Sequence, residues 1–254
     1  MIYSAHGSGR SDTAAAALSG KRAALVTGAA GGIGRAIAER LGQDGWDVHA
    51  VDLADGDLST DGGNRQVVDA ALERFGRLDA VVAAAGFQHV APVKEFPVER
   101  WDKLIAVLLT SPFLLARYSW EALAASGDGR FCAIGSAHSL VASPFKSAYV
   151  AAKHGVHGLV KTIALEGAAV GITASTICPG YVRTPLVEAQ IADQARAHGL
   201  SEERVLDEVI LAPHAVKRML EPHEVADVAA FVLGPSGRAF TGAPVVIDMG
   251  WTAR

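Results

Sequence analysis

The chain has little cysteine: only Cys132 and Cys178 occur in 254 residues. Both lie in short apolar stretches, which indicates small buried side chains, and their spacing fits neither a disulfide framework nor a metal site. No metal ligands are therefore predicted. The sequence also lacks an apolar run of about 18 residues, the length typical of a membrane-spanning helix, so no membrane partner is predicted.

The chain also has no excess of positively charged residues. The chain has 23 Lys and Arg against 27 Asp and Glu, a formal net charge of -4, which argues against nucleic acid or an anionic membrane as a partner. Residues 1–20 lack an apolar core behind a basic start, so they do not predict a secretory signal, and the cytoplasm is the expected location. We expect a flexible N-terminal tail there, with a brief helix at 14–18.

The rest of the chain has the composition of a folded α/β protein. The hydrophobic fraction is 50% and the charged fraction 20%, and residues 21–254 suffice for one large domain. Strands alternate with helices, which predicts a single-domain doubly wound parallel sheet of the Rossmann-like type. The predicted strands are 22–27, 47–51, 79–84, 131–134, 172–177 and 243–248, and the predicted helices are 35–43, 65–75, 101–125, 149–169 and 222–233.

Three segments depart from regular alternation. Residues 53–64 are mostly turn formers and leave no room for a full helix and strand, so the sheet is expected to lack one edge strand and its helix after Asp52. The long helix 101–125 is expected to be irregular near Ser111 and Pro112. Residues 186–213 have a helical pattern after a strand end, which predicts a helical lid over the substrate.

A glycine-rich turn joins the first strand to the first helix. Gly28, Gly32 and Gly34 lie where backbone N–H groups and the helix dipole face an anion, which predicts a dinucleotide phosphate site; a simple turn is the alternative. Asp52 stands just past the second strand, where a carboxylate accepts hydrogen bonds from ribose hydroxyls and repels a 2′-phosphate. NAD is therefore favoured over NADP, although a solvated turn aspartate is the structural alternative.

Ser136 follows a buried strand, and Tyr149 and Lys153 stand four residues apart at the start of a helix. Side chains at this spacing share one helix face. A lysine cation beside a phenol lowers the phenol pKa toward the working pH, which suits a general acid/base. A serine hydroxyl nearby is able to hold the reacting oxygen. Such Tyr-x-x-x-Lys pairs also occur by chance on surface helices.

The ordered set Thr27-Gly-x-x-x-Gly-x-Gly34, Ala-Gly86, Ser136, Tyr149-x-x-x-Lys153 and Pro179-Gly180 resembles the short-chain dehydrogenase/reductase family over residues 21–251. The resemblance implies that Tyr149 is the acid/base, that Lys153 lowers its pKa and holds the nicotinamide ribose, and that Ser136 orients the reacting oxygen. The residues that it implies for NAD are Gly28, Gly32, Ile33, Gly34, Asp52, Gly86, Tyr149, Lys153, Pro179, Gly180, Val182 and Thr184.

Residues 86–103, 136–155 and 184–191 are similar to bacterial D-3-hydroxybutyrate dehydrogenases as a group. This resemblance implies a small hydroxy or keto acid as the substrate, with (R)-3-hydroxybutyrate and acetoacetate as the leading pair, and a homotetramer. It also implies a substrate site in which four side chains hold the carboxylate and an indole lines the pocket: Gln88, His138, Lys146, Gln190 and Trp251.

The sequence departs from the family pattern at three places. Leu108 stands where the family has an asparagine that supports a proton-carrying water, and residues 83–85 are all alanine where the family has two asparagines. The third departure is the short connection at 53–64, which removes part of the adenine side; by the resemblance, Asp57 represents the family aspartate that contacts adenine. Two alternatives therefore stay open: a dehydrogenase for another alcohol or ketone, and a cofactor-binding protein with a weakened active site.

Overall fold

The structure is a computed structural model that describes residues 20–253. Residues 1–19 and residue 254 lie outside the described part of the chain. The predicted tail, with its brief helix at 14–18, therefore falls outside the described residues except for Gly20.

One parallel sheet forms the centre of the protein. It has six strands in the order β2-β1-β3-β4-β5-β6, and each neighbouring pair is parallel. The predicted Rossmann-like fold is confirmed. The strands are β1 (Ala23–Thr27), β2 (Asp47–Val51), β3 (Ala80–Ala83), β4 (Gly129–Ile134), β5 (Ile172–Pro179) and β6 (Pro244–Ile247).

Helices cover both faces of this sheet. The α-helices are α1 (Gly32–Gln43), α2 (Asp61–Phe75), α3 (Val98–Ile105), α4 (Ser111–Ala125), α5 (Ser147–Gly167), α6 (Pro185–Ala189), α7 (Ile191–His198), α8 (Glu202–Val205) and α9 (Pro222–Leu233). Short 3₁₀ turns lie at Val93–Glu95, Ala137–Ser139, Ala168–Val170 and Pro235–Phe240, and π-helical turns at Ala106–Thr110 and Leu206–Ile210. Over residues 20–253, no helix combines the length and the apolarity needed to cross a membrane.

The inner strands are apolar on both faces because helices pack on both. Every residue of β1, β3 and β4 is buried, as expected for parallel strands covered on two sides. Helices α2, α4 and α5 pack with Leu25 and Phe131 in one core. Helices α1 and α9 pack on the opposite face with Val26 and Ile177 in a second core.

The sheet ends at β2, as the short connection predicts. Strand β2 pairs with β1 alone, and within the described chain neither a strand nor a helix separates Val51 from Asp61. A fully buried amide, Asn64, fastens this connection: its Nδ2 donates to the carbonyl oxygens of Leu58 (2.9 Å) and Thr60 (2.7 Å). Its Oδ1 accepts a 2.6 Å hydrogen bond from the Ser111 hydroxyl at the start of α4.

Element boundaries differ from the predictions by a few residues. Helix α1 begins at Gly32 rather than 35, because the glycine turn itself provides its first turn. The predicted irregularity in the long helix is a π-helical turn at Ala106–Thr110, directly before α4. Pro112 lacks the N–H that a regular helix would use there.

We expect Asn64→Ala to lower the free energy of unfolding by about 2 kcal/mol or more, because it leaves buried carbonyl and hydroxyl groups without partners. Urea denaturation followed by circular dichroism measures the change. Gln66→Ala is the matched control, since its amide makes a comparable 2.9 Å bond to the carbonyl oxygen of Asp55 but is exposed. Equal losses in the two variants would contradict the anchoring role of Asn64.

Candidate active site

Two adjoining cavities lie at the carboxyl ends of the central strands. Together they are lined by every residue that the sequence predicts for the site. The cavity next to the glycine turn is lined by Gly28, Gly32, Ile33, Gly34, Asp52, Gly86 and Thr184. The cavity next to α5 is lined by Ile33, Gly86, Gln88, Ser136, His138, Lys146, Tyr149, Lys153, Pro179, Gly180, Val182, Thr184, Gln190 and Trp251.

The glycine turn requires glycine for steric reasons. Gly28 has φ of +70°, and a Cβ there would stand 2.7 Å from the Cα atom of Ala85. A Cβ on Gly34 would stand 2.2 Å from the carbonyl oxygen of Gly28. No side chain caps α1 at Gly31, so the first N–H groups of the helix remain available to an anion. This helix start fits the pyrophosphate of a dinucleotide.

The Asp52 carboxylate is oriented by the backbone. One oxygen accepts from the amide of Ala30 (2.9 Å) and the other from the amide of Leu53 (2.8 Å). A further cavity next to the short connection is lined by Asp52, Asp57, Arg100 and Lys103. Sequence reasoning missed the two cations, because they come from α3, about 50 residues beyond Asp52 in the chain.

The predicted catalytic residues meet at the end of β4. The Lys153 ammonium donates a 2.6 Å hydrogen bond to the carbonyl oxygen of Ile134 and lies 5.5 Å from the centre of the Tyr149 ring. The Ser136 side chain lines the same cavity as Tyr149 and acts to lower the pKa of its phenol. Helix α5 thus presents a phenol and an ammonium beside a serine hydroxyl, a set able to move a proton to or from a bound oxygen.

Contrary to expectation, burial has the largest effect on the pKa values of Tyr149 and Lys153. It raises the pKa of Tyr149 to about 12, against which the hydrogen bond from Ser136 acts in the lowering direction. Burial also lowers the pKa of Lys153 to about 8. The predicted lowering of the phenol pKa by Lys153 is therefore not seen in the protein alone. A positive charge beside the phenol, such as an oxidised nicotinamide ring, would favour the phenolate.

A second buried ammonium faces the same cavity. Lys146 is 3% exposed, and its Nζ donates a 2.7 Å hydrogen bond to the hydroxyl of Tyr181. Burial lowers the pKa of Lys146 to about 8. Tyr181 in turn stacks on Trp251, with ring centres 5.4 Å apart. Sequence reasoning missed Tyr181, although its place between Gly180 and Val182 in the predicted loop was the available signal.

The amide and imidazole groups of the predicted substrate site already have protein partners. Gln190 donates to the carbonyl oxygen of Leu186 (3.0 Å), and the Gln88 Oε1 accepts from the amide of His89 (3.0 Å). His138 is 3% exposed, and hydrogen bonds engage both of its ring nitrogens. Burial, followed by the charge of Lys146, lowers the pKa of His138 to about 3, so the imidazole is neutral.

Leu108 lies in the π-helical turn and is 2% exposed. Its Cδ2 atom is 2.8 Å from where a Cβ on Gly86 would stand. The leucine therefore fills the space between this turn and the loop after β3, and it brings only hydrocarbon to the cavity that contains Tyr149 and Lys153.

An uncapped helix start at the rim of a parallel sheet, next to a group able to transfer protons, is the arrangement of an oxidoreductase of the Rossmann class. Comparison with known proteins narrows this class to a family. Residues 54–252 match the family described as enoyl-(acyl carrier protein) reductase, and residues 22–60 match the family described as short chain dehydrogenase.

Several characterised and uncharacterised relatives extend over nearly the whole chain. The D-beta-hydroxybutyrate dehydrogenase of Rhizobium meliloti is 41% identical, covering 92% of this chain and 99% of that protein. The D-beta-hydroxybutyrate dehydrogenase of Cupriavidus necator is 37% identical, covering 93% of this chain and 100% of that protein. An uncharacterized oxidoreductase of Bacillus subtilis, YxjF, is 40% identical, covering 92% and 99%. The chain belongs to the short-chain dehydrogenase/reductase family, whose members typically use a nicotinamide cofactor.

Proposed function

We propose that this oxidoreductase uses NAD to interconvert a small 3-hydroxy acid and its 3-keto acid, with (R)-3-hydroxybutyrate and acetoacetate as the leading pair. The observation that carries the proposal is the buried ammonium of Lys146 beside the proton-transfer group. The two relatives named D-beta-hydroxybutyrate dehydrogenases support the same substrate.

Lys146 is a buried cation whose described neighbours are neutral. Among residues 20–253 no carboxylate forms an ion pair with it, and its neighbours are the hydroxyl and ring of Tyr181. A buried cation without a counter-charge is costly. A substrate carboxylate would supply that charge, with Gln88 and Gln190 on the walls of the same cavity. Trp251 closes the pocket behind Tyr181.

In the proposed reaction, Tyr149 as the phenolate takes the proton of the substrate hydroxyl, and Ser136 holds the oxygen through a hydrogen bond. Lys153 stabilises the phenolate and is placed to hold the nicotinamide ribose. The bound nicotinamide supplies the hydride acceptor. Residues 186–213, which contain α6, α7 and α8, form the lid: their apolar side chains pack with Tyr181 and Trp251 and would exclude water.

The choice of NAD rests on Asp52, whose carboxylate disfavours a 2′-phosphate. Gly28, Gly32, Ile33 and Gly34 provide the pyrophosphate end, and the Gly86 and Pro179–Thr184 segments provide walls for the rest of the cofactor. Arg100 and Lys103 in the adjoining cavity make NADP the second candidate. An assay of cofactor use therefore includes both NAD and NADP.

We expect purified protein to reduce NAD with (R)-3-hydroxybutyrate, at a rate far above that with the (S) form or with NADP. Absorbance at 340 nm measures the product. Tyr149→Phe should lose nearly all turnover, because no group replaces the phenolate, while NAD binding measured by calorimetry persists. Stereoselectivity for the (S) form, or no turnover with NAD bound, would refute the proposed substrate.

The Lys146→Met variant tests the carboxylate site. We expect its KM for the hydroxy acid to rise about 30-fold, which corresponds to about 2 kcal/mol for a lost buried charge contact. In the wild type, KM should rise as the pH exceeds about 8, because the Lys146 ammonium then loses its proton. In the variant, the part of that pH dependence caused by Lys146 should disappear, leaving only the part caused by Lys153.

Lys94→Met is the control for this experiment, because Lys94 is 82% exposed on its side chain and lies outside the cavity. It should leave KM unchanged. If Lys146→Met impaired an uncharged secondary alcohol as strongly as the hydroxy acid, Lys146 would serve the fold rather than recognise a carboxylate.

We also propose a cytoplasmic homotetramer, with α4 and α5 at the subunit contacts. Phe113 on α4 is 45% exposed and Leu165 on α5 is 81% exposed. Light scattering should give the mass of four chains, and Leu165→Glu should reduce it, since a charge in an apolar contact is costly. Val93→Glu, at a side chain 76% exposed outside α4 and α5, is the control. A wild-type mass of one chain would contradict the proposal.

A further inference from the structure

The Lys153 side of the active site offers a proton no side-chain exit. Lys153 is 6% exposed, and in the described part of the chain its ammonium hydrogen bonds only to the carbonyl oxygen of Ile134. Leu108 and the alanines at 83–85 provide no hydrogen-bonding side chain there. A proton that reaches Tyr149 during alcohol oxidation nevertheless has to leave before the next turnover.

A row of polar side chains leads away from the opposite side of Tyr149. Ser136 lines the same cavity as Tyr149, and its Oγ lies 3.3 Å from Nδ1 of His138. Nε2 of His138 lies 2.9 Å from Oγ of Ser143. Ser143 is partly exposed and lines a separate cavity beyond Lys146 and Trp251. The row therefore runs from the phenol through a buried imidazole to a different face of the active-site wall.

We propose that Ser136, His138 and Ser143 form a proton relay that carries the substrate hydroxyl proton from Tyr149 to solvent. The proposal rests on the proposed dehydrogenase function, but not on the identity of the alcohol. It gives His138 a task beyond lining the substrate pocket, and it assigns Ser143, a residue outside the predicted site, a part in the reaction.

Each step of the relay breaks one bond to hydrogen and forms another. The Tyr149 phenol gives its proton to the Ser136 oxygen, while the Ser136 hydroxyl proton passes to Nδ1 of His138. The proton on Nε2 passes to the Ser143 oxygen, and the Ser143 hydroxyl proton passes to water. The phenolate is restored and one proton is released for each hydride transferred. The relay step leaves the imidazole in its Nδ1–H tautomer. It returns to the first tautomer by exchange with water, as Nδ1 loses a proton to water and Nε2 gains one.

A neutral imidazole suits this transfer. It has one N–H donor and one acceptor nitrogen, so it is able to accept a proton on one side as it donates on the other. His138 remains neutral at working pH, because burial and the charge of Lys146 lower its pKa to about 3. The rings of Tyr149 and Trp251 stand edge-on to it, with ring centres 5.8 and 5.0 Å away, and keep it in line with both serines.

Ser143→Ala breaks the last link without touching the cofactor or the reacting oxygen. In weak buffer, stopped flow with a pH indicator should show proton release slowed about tenfold relative to the wild type, with a larger solvent deuterium isotope effect. Imidazole added as a mobile proton carrier should restore the rate. Ser143→Thr keeps the hydroxyl and should release protons at close to the wild-type rate.

Ser147→Ala is the matched control, because Ser147 is a partly exposed serine nearby whose side chain makes no hydrogen bond to residues 20–253. Two outcomes would overturn the relay: proton release in Ser143→Ala equal to that in Ser147→Ala, or a slower rate that imidazole does not restore. The second outcome would assign Ser143 a structural role only.

A readout without cofactor or substrate separates this proposal from the proposed function. Nuclear magnetic resonance of ¹⁵N-labelled protein measures how fast the His138 ring N–H exchanges with water. We expect exchange to be about tenfold slower in Ser143→Ala than in the wild type. Unchanged exchange would overturn the relay, whereas failure to oxidise (R)-3-hydroxybutyrate would count only against the proposed substrate.

Discussion

The hydrogen bond from Lys153 to the carbonyl oxygen of Ile134 is the contact on which the active-site geometry depends. It joins the first half of α5 to the end of β4, so the phenol of Tyr149 cannot shift relative to the sheet without leaving a buried ammonium unpaired. Because β3, β4 and β5 are parallel, their loops reach the same rim. The hydrogen bond from Lys153 thus fixes α5 relative to β4. The parallel register of the strands brings the surrounding loops to the same rim.

Much of this arrangement could be predicted from local sequence. The apolar runs that became β1, β3 and β4 are buried on both faces, and the glycine turn is constrained by contacts within a few residues. The loss of an edge strand followed from the length of residues 53–64 alone. The Ser, Tyr and Lys positions followed from order and spacing, since parallel strands bring their ends to one edge whatever their separation in the chain.

The remaining features depend on contacts between distant residues. Asn64 bonds to Ser111 across 47 positions, and Lys146 bonds to Tyr181 across 35; no period or spacing marks such pairs. The cations of α3 line the same cavity as Asp52, next to the short connection. Protonation also depends on the whole site: spacing predicts that Lys153 lowers the phenol pKa, whereas burial of Tyr149 acts to raise it.

Two lysines sit in the interior of one cavity, and burial lowers the pKa of both to about 8. Buried ammonium groups lower the free energy of unfolding unless another interaction compensates for their lost hydration. Lys153 has a backbone carbonyl, but Lys146 has a neutral hydroxyl whose lone pair is a poor substitute for a charge. A bound anion, as proposed for the substrate, would relieve the unfavourable burial of Lys146. Burial, with the charge of Lys146 acting in the same direction, keeps His138 neutral. The proposed carboxylate site and the proposed relay therefore both involve this one lysine.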